Sequence, residues 1–170
     1  NLGEAISVAK ATIHLPVAVL TNSSLMSRKD TRRELARADV VVAKLDAPSE
    51  EIFHLINRPA DNLHLSEVVE GIRLFRSEYK GKLALQIMFV ETNRDYAPEM
   101  ANIAEELSPA EVQINTPLRP CGVKTLSPDE IAAIRREFAN FTSVVTVYEA
   151  ARPEVTPLSL EGTLRRRPKL

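Results

Sequence analysis

Residues 15–59 read LPVAVLTNSSLMSRKDTRRELARADVVVAKLDAPSEEIFHLINRP, and two apolar runs within them decide the fold. Val17–Thr21 is a short run without polar alternation, the pattern of a strand buried on both faces. Asp39–Leu45 (DVVVAKL) repeats the pattern. Between them, residues 28–37 read as a helix with surface arginines, and Ser27 and Asp30 are its cap candidates. Strand, helix and strand in this order imply parallel pairing through a right-handed crossover. Toward the N-terminus, residues 2–13 set Leu2, Ile6, Ala9 and Ile13 on one helical face, and Pro16 ends that segment.

The same alternation continues toward the C-terminus. Residues 49–56 read as a short helix ending before Arg58-Pro59. Leu65–Tyr79 is an amphipathic helix striped by Val68, Val69, Ile72, Phe75 and Tyr79, with Gly81 as its stop. Lys82–Val90 (KLALQIMFV) is a third strand, and Pro98 opens a helix to Leu107. Glu111–Asn115 is a strand of marginal hydrophobicity. Ser127-Pro128-Asp129-Glu130 combines an N-cap, a proline at the first position and a glutamate three residues on, starting a helix to Phe138. Ser143–Tyr148 is the fifth strand. The expectation is an α/β domain over residues 1–150 with five parallel strands and flanking helices. Residues 151–170 hold three prolines and five Lys+Arg against two Asp+Glu, the composition of a tail or linker. Arg165-Arg166-Arg167 belong to that tail.

Composition narrows the function. Of 170 residues, 44% are hydrophobic and 26% charged, ordinary for a soluble domain, and the net charge is −1. That balance argues against a broad nucleic-acid-coating field. The sequence holds no apolar run of membrane-spanning length and no signal-peptide pattern at its start, so the expected location is the cytoplasm. One cysteine, Cys121, and three scattered histidines, His14, His54 and His64, do not make a disulfide framework or a zinc site. Neither G-x-G-x-x-G nor G-x-x-x-x-G-K-[ST] occurs, and five glycines leave little backbone for cradling a phosphate.

In parallel α/β sheets, ligands bind beyond the carboxyl ends of the strands, where the loops converge. Here those ends are Thr21–Ser24, Lys44–Ala47, Glu91–Arg94, Asn115–Pro117 and Glu149–Ala150, the first four polar. Asn22, Ser23 and Ser24 read either as ligand donors or as a turn. Lys44 and Asp46 share one face of their strand, as a ligand-binding pair or as an internal ion pair. Facing solvent in the free protein, Asp46 would tolerate Asp46→Ala with folding nearly unaffected. Gln86, Met88 and Val90 share a face of the third strand, with Met88 divided between ligand contact and core. Asn115, Thr116 and Arg119 face a ligand or end a strand. Asn57-Arg58-Pro59 orient a loop over the site or cap a helix.

These strand ends carry a family resemblance. Thr21-Asn22-Ser23-Ser24-Leu25, Leu45-Asp46-Ala47, Ile56-Asn57-Arg58-Pro59, the unit EGIRLFRSEYKGKLALQIMFV, and Gln113-Ile114-Asn115-Thr116-Pro117-Leu118-Arg119-Pro120 follow one another over about residues 1–140. In order and spacing they resemble the radical S-adenosylmethionine (radical SAM) enzymes, in the iron–sulfur oxidoreductase branch related to archaeal wybutosine-synthesis enzymes. The resemblance implies a partial parallel (β/α) barrel of TIM-like type that holds SAM and a 4Fe-4S cluster at its strand ends. It also implies SAM contacts for Asn22, Ser24, Lys44, Asp46, Met88 and Asn115. A Lys meeting the SAM carboxylate and an Asp meeting ribose fit that pair, although activating-enzyme relatives have the acid before the base.

The family's C-x3-C-x2-C loop and G-G-E/P loop are not in this sequence, so the chain resembles the C-terminal part of such an enzyme, from the second helix onward. Cys121 does not replace three thiolates. By itself such a part is expected to bind no cluster and to be inactive. Its first strand would present an unpaired edge, so association of copies through exposed edges is expected. The substrate is not legible: the nearest branch implies a tRNA, which the charge does not support. Two other readings stand beside this one. The first is a non-catalytic interaction subunit. The second is an unrelated doubly wound nucleotide-binding domain, for which a strand order of 2-1-3-4-5, rather than a sequential one, would speak.

Overall fold

A computed structural model describes residues 1–119, 121–150, 159, 161, 162 and 165. The expected tail, Arg166 and Arg167 included, otherwise lies outside the described residues. Five strands form one sheet in the order β1 (Ala18–Thr21), β2 (Val40–Lys44), β3 (Lys82–Met88), β4 (Glu111–Asn115) and β5 (Val144–Thr146). All four pairings are parallel. The sequential order excludes the doubly wound alternative. With right-handed crossovers it puts the connecting helices on one face, as in part of a (β/α) barrel.

Those helices are α1 (Leu2–Ile13), α2 (Lys29–Leu35), α3 (Glu50–Asn57), α4 (Leu65–Glu78), α5 (Ala97–Leu107) and α6 (Pro128–Glu137). The two faces of the sheet separate by strand period. Val41, Ala43, Leu83, Leu85, Ile87, Val112 and Ile114 join the helices' Ile72, Phe75, Met100 and Phe138 in one core. Lys44, Gln86, Met88, Glu111, Gln113 and Asn115 occupy the opposite, half-exposed face.

Local chemistry sets the helix starts. The Ser127 hydroxyl accepts the Glu130 N–H while the Glu130 carboxylate accepts the Ser127 N–H, the reciprocal cap foreseen for α6. Ser49 caps α3 by accepting the Ile52 N–H. For α2 the expectation fails. The helix starts at Lys29 with Arg28 at its N-cap, because the Arg28 guanidinium engages Asp30 at 2.6 and 3.1 Å. The deeper anchor of this region is Arg32. Buried, it donates to Met26 O, Ser27 O and both Glu78 oxygens, tying the β1–α2 loop to α4. That loop lies against Gly71 of α4, where a Cβ would stand 2.5 Å from Ser27 N.

Other expectations also need correction. Helix α4 ends at Glu78, and Tyr79 turns out of it so that its hydroxyl donates to Ala38 O at 2.8 Å. Gly81 is therefore not a left-handed helix stop; a Cβ there would meet the Tyr79 ring and Asp39 O. The third strand stops at Met88 instead of Val90, because Asn93 caps the Met88 carbonyl. Strand β1 is not buried on both faces: it is an edge strand, and while Val19 packs against the core, Leu20, on the open face, is 69% exposed. Beside it Leu2, Val8, Ile13 and Leu15 are exposed too, so the α1 stripe buries little beyond Ile6.

Candidate functional site at the strand ends

The carboxyl ends of β2 and β3 are joined by one buried polar network. Asp46 follows β2 directly and is 1% exposed. Its Oδ1 accepts the Met88 N–H at 2.8 Å, its Oδ2 accepts from Asn57 Nδ2 at 2.8 Å, and Lys44 Nζ forms an ion pair with Oδ2 at 2.9 Å. Asn93, fully buried, donates to the Asp46 and Met88 carbonyls and accepts the Val90 N–H. A buried carboxylate is tolerated only when paired and hydrogen-bonded in this way. The picture of Asp46 facing solvent is therefore overturned. Of the Lys44–Asp46 pair, only the lysine reaches the open face, its side chain 36% exposed.

The other predicted residues are distributed around this network. Asn22 Oδ1 accepts the N–H and hydroxyl of Ser24, a local turn on the exposed loop after β1. Between them Ser23 is buried in a left-handed conformation, φ 66°, with its hydroxyl unpartnered among the described residues. Asn57 Oδ1 is likewise buried and unpartnered. Met88 and Asn115 are cross-strand neighbours, both half-exposed on the open face. Thr116 is buried, and its hydroxyl accepts the Leu126 N–H, which ends β4. Arg58 closes α3 in a left-handed conformation and points to solvent, as does Arg119. His14 is exposed at the end of α1, and His54 and His64 flank Glu50 at 3.9 Å on the surface.

Lys82, Glu111 and Gln113, not weighed as site residues from the sequence, complete the open face with Lys44 and Gln86. Lys44, Gln86 and Gln113 are successive partners in one row across β2, β3 and β4. Gln113 Nε2 donates to Glu111 Oε1 at 2.8 Å, and Gln86 Nε2 donates to Gln113 Oε1 at 3.2 Å. Lys82 pairs with Glu111 at 2.7 Å. Those bonds hold the Glu111 carboxyl below the usual carboxylate range, with the Lys82 bond first and the Gln113 bond second. The alternation of Glu111, Gln113 and Asn115 with Val112 and Ile114 was the available signal for this row. Asn93 carried none beyond lying in a polar strand-end segment.

Among the described residues, surface hollows also lie elsewhere. One of about 650 Å³ sits against Phe138, Phe141 and Ser143, at the N-terminal end of β5. Another of about 490 Å³ sits on the helical side between Ser49, Leu65 and Ile103. Among the described residues no group of three or more His, Cys, Asp or Glu could hold a metal ion, and no helix is long and apolar enough to cross a membrane.

This architecture, a sequential parallel sheet with helices on one face, is shared with solved proteins. A domain of pyruvate-formate lyase-activating enzyme from Bacteroides vulgatus matches 85% of this chain and 90% of its own length, with TM-score 0.66 and 14% identity. A radical SAM methyltransferase from Sphaerobacter thermophilus matches 76% of this chain and 39% of its own, with TM-score 0.56 and 17% identity. At such identities the likeness is one of fold.

In sequence, the chain is 34% identical over 134 residues to a UPF0026 protein of Methanocaldococcus jannaschii, 77% of this chain and 42% of that protein. To a UPF0026 protein of Synechocystis it is 33% identical over 124 residues, 71% of this chain and 46% of that protein. A stretch of the GTPase Obg of Brachyspira hyodysenteriae is 28% identical over 144 residues, 81% of this chain and 21% of that protein. The chain thus spans less than half the length of these curated relatives. No family model matches it.

Proposed function

We propose that this chain is the C-terminal part of a radical SAM enzyme of the iron–sulfur oxidoreductase branch, and that it supplies strand ends facing SAM and substrate. The observation that carries this reading is the open polar face of a sequential parallel sheet, with Lys44, Met88 and Asn115 at its carboxyl end. The strand-end resemblance and the fold shared with a radical SAM methyltransferase support it from separate directions.

The residues present fit SAM. Lys44 offers a cation to a carboxylate, Asn22, Ser24 and Asn115 offer hydrogen bonds, and Met88 offers an apolar contact. Two buried polar atoms near these strand ends, Ser23 Oγ and Asn57 Oδ1, have bonding capacity to spare. Asp46 enters as the residue that positions Lys44 and the Met88 backbone. The residues present do not fit the 4Fe-4S cluster: the single cysteine, Cys121, is exposed and its thiol is 3.5 Å from Val123 O. In the parent enzyme the cofactors would supply radical chemistry, and this chain's part would be to hold SAM through Lys44, Asn22, Ser24, Met88 and Asn115.

The reading frame upstream of Asn1 tests the proposal. It is expected to encode C-x3-C-x2-C, and a frame without that loop overturns the reading. In the protein encoded by that frame, Asn115→Ala and Lys44→Ala should each weaken SAM binding roughly ten- to a hundredfold by calorimetry, the value of a charge-assisted hydrogen bond.

A further inference from the structure

We propose that the Lys44–Gln86–Gln113 row binds a neutral carboxamide-type group of the substrate, with Glu111 setting the orientation of both glutamine amides. The inference rests on the reading of the open face as the ligand side. It begins at Glu111, whose carboxylate only accepts hydrogen bonds. Gln113 must turn its NH2 toward Glu111, at 2.8 Å, and so its carbonyl toward Gln86. Gln86 in turn spends its NH2 on that carbonyl, at 3.2 Å. Its own carbonyl oxygen then remains as an acceptor that no described residue uses, on the strand next to Lys44 in register. The Lys44 ammonium is ion-paired with Asp46 at 2.9 Å.

The row therefore offers a fixed acceptor beside spare donors, and its charges are already matched. Lys44 is balanced by Asp46 and Lys82 by Glu111. Lys44, the cation beside the glutamines, is already paired with Asp46 and is the group proposed to meet the SAM carboxylate. An anion over the glutamines would therefore meet no further unmatched cation among the described residues, and burying an unmatched charge is costly. An apolar group would leave the row's donors and acceptor without partners, which is costly as well. A carboxamide answers both demands, its N–H donating to the Gln86 carbonyl and its oxygen accepting from the second N–H of Gln113. The row lies one residue pair beneath Met88 and Asn115, deeper than the strand-end loops. That depth assigns it to a substrate group that reaches down the open face.

The test is nuclear magnetic resonance on the nitrogen-15-labelled chain, following the side-chain amides of Gln86 and Gln113, assigned with Gln86→Met and Gln113→Met. Acetamide is the probe and sodium acetate the control. Expected is a saturable shift of both amide signals with acetamide, at least about tenfold weaker with acetate, and its loss in Glu111→Gln. A thermal melt of each variant separates unfolding from loss of the site; should Glu111→Gln not fold, Gln86→Met carries the same comparison. Equal response to acetate, no response to either probe, or an unchanged response in the folded variants overturns the inference. The upstream reading frame reports separately on the radical SAM reading, so the two failures are distinguishable.

Discussion

Strands β1 and β3 are both short, parallel and aliphatic, yet they live in different environments. Leu85 in β3 is 1% exposed, whereas Leu20 in β1 is 69% exposed. Two things differ: Leu85 lies on the helix-covered face whereas Leu20, in register with Val42, lies on the open face, and β3 has strands on both sides where β1 has β2 alone. In β3 the two faces are also divided by chemistry, with helices over Leu83, Leu85 and Ile87 and an open row at Gln86 and Met88. In β1 Val19 packs against the core while Ala18 and Leu20 lie exposed on the open face with no strand beyond them, and Leu2, Val8, Ile13 and Leu15 are exposed as well. An apolar run thus specifies a strand, but its place in the sheet specifies whether burial rewards it.

The largest test of this contrast is in the packed centre. Phe75→Ala removes a fully buried ring stacked on Tyr79 and should cost about 3–5 kcal/mol in chemical denaturation. Leu20→Ala at the edge should stay within about 0.5 kcal/mol. Equal losses at the two positions would mean that the edge is covered in solution.

Next in size is the strand-end network. Asp46→Ala strands the Met88 N–H, the Asn57 amide and the Lys44 ammonium, and should cost about 3 kcal/mol. A melting temperature unchanged by this substitution would mean that the network does not hold the strand ends together.

The edge itself should act at the level of association. We propose that copies of the chain pair through β1. Sedimentation at micromolar concentration should then show a concentration-dependent dimer, and Leu20→Lys should shift it toward monomer. A monomer at every concentration would retire the edge pairing.

The smallest effect is in pH. Glu111 and Glu78 are held below their ordinary value of 4.5, first by their bonds to Lys82 and Arg32 respectively. Each contributes stability that is complete above that value and is lost as pH falls through the lower folded value. Melting temperature should therefore be level above pH 4.5 and fall below it, and Lys82→Met should make that fall shallower. A fall that begins at neutral pH would point to other groups.

Much of this molecule was written in local pattern. Alternating apolar runs and helical stripes gave the five strands in order, and the Ser127–Glu130 cap needed nothing beyond four adjacent residues. The polar character of the strand ends was equally local. The environment of each residue was not. Asp46 could be read as a solvent-facing charge because its partners, Asn57 and Met88, lie 11 and 42 residues away. The Gln86–Gln113 contact spans 27 residues and exists only through the register of β3 on β4. Propensity and capping depend on neighbours along the chain, and so sequence alone determined the elements. Burial, charge pairing and amide orientation depend on neighbours across the sheet, so only the tertiary structure decided which polar residues are locked in the buried network and which stand on the open face.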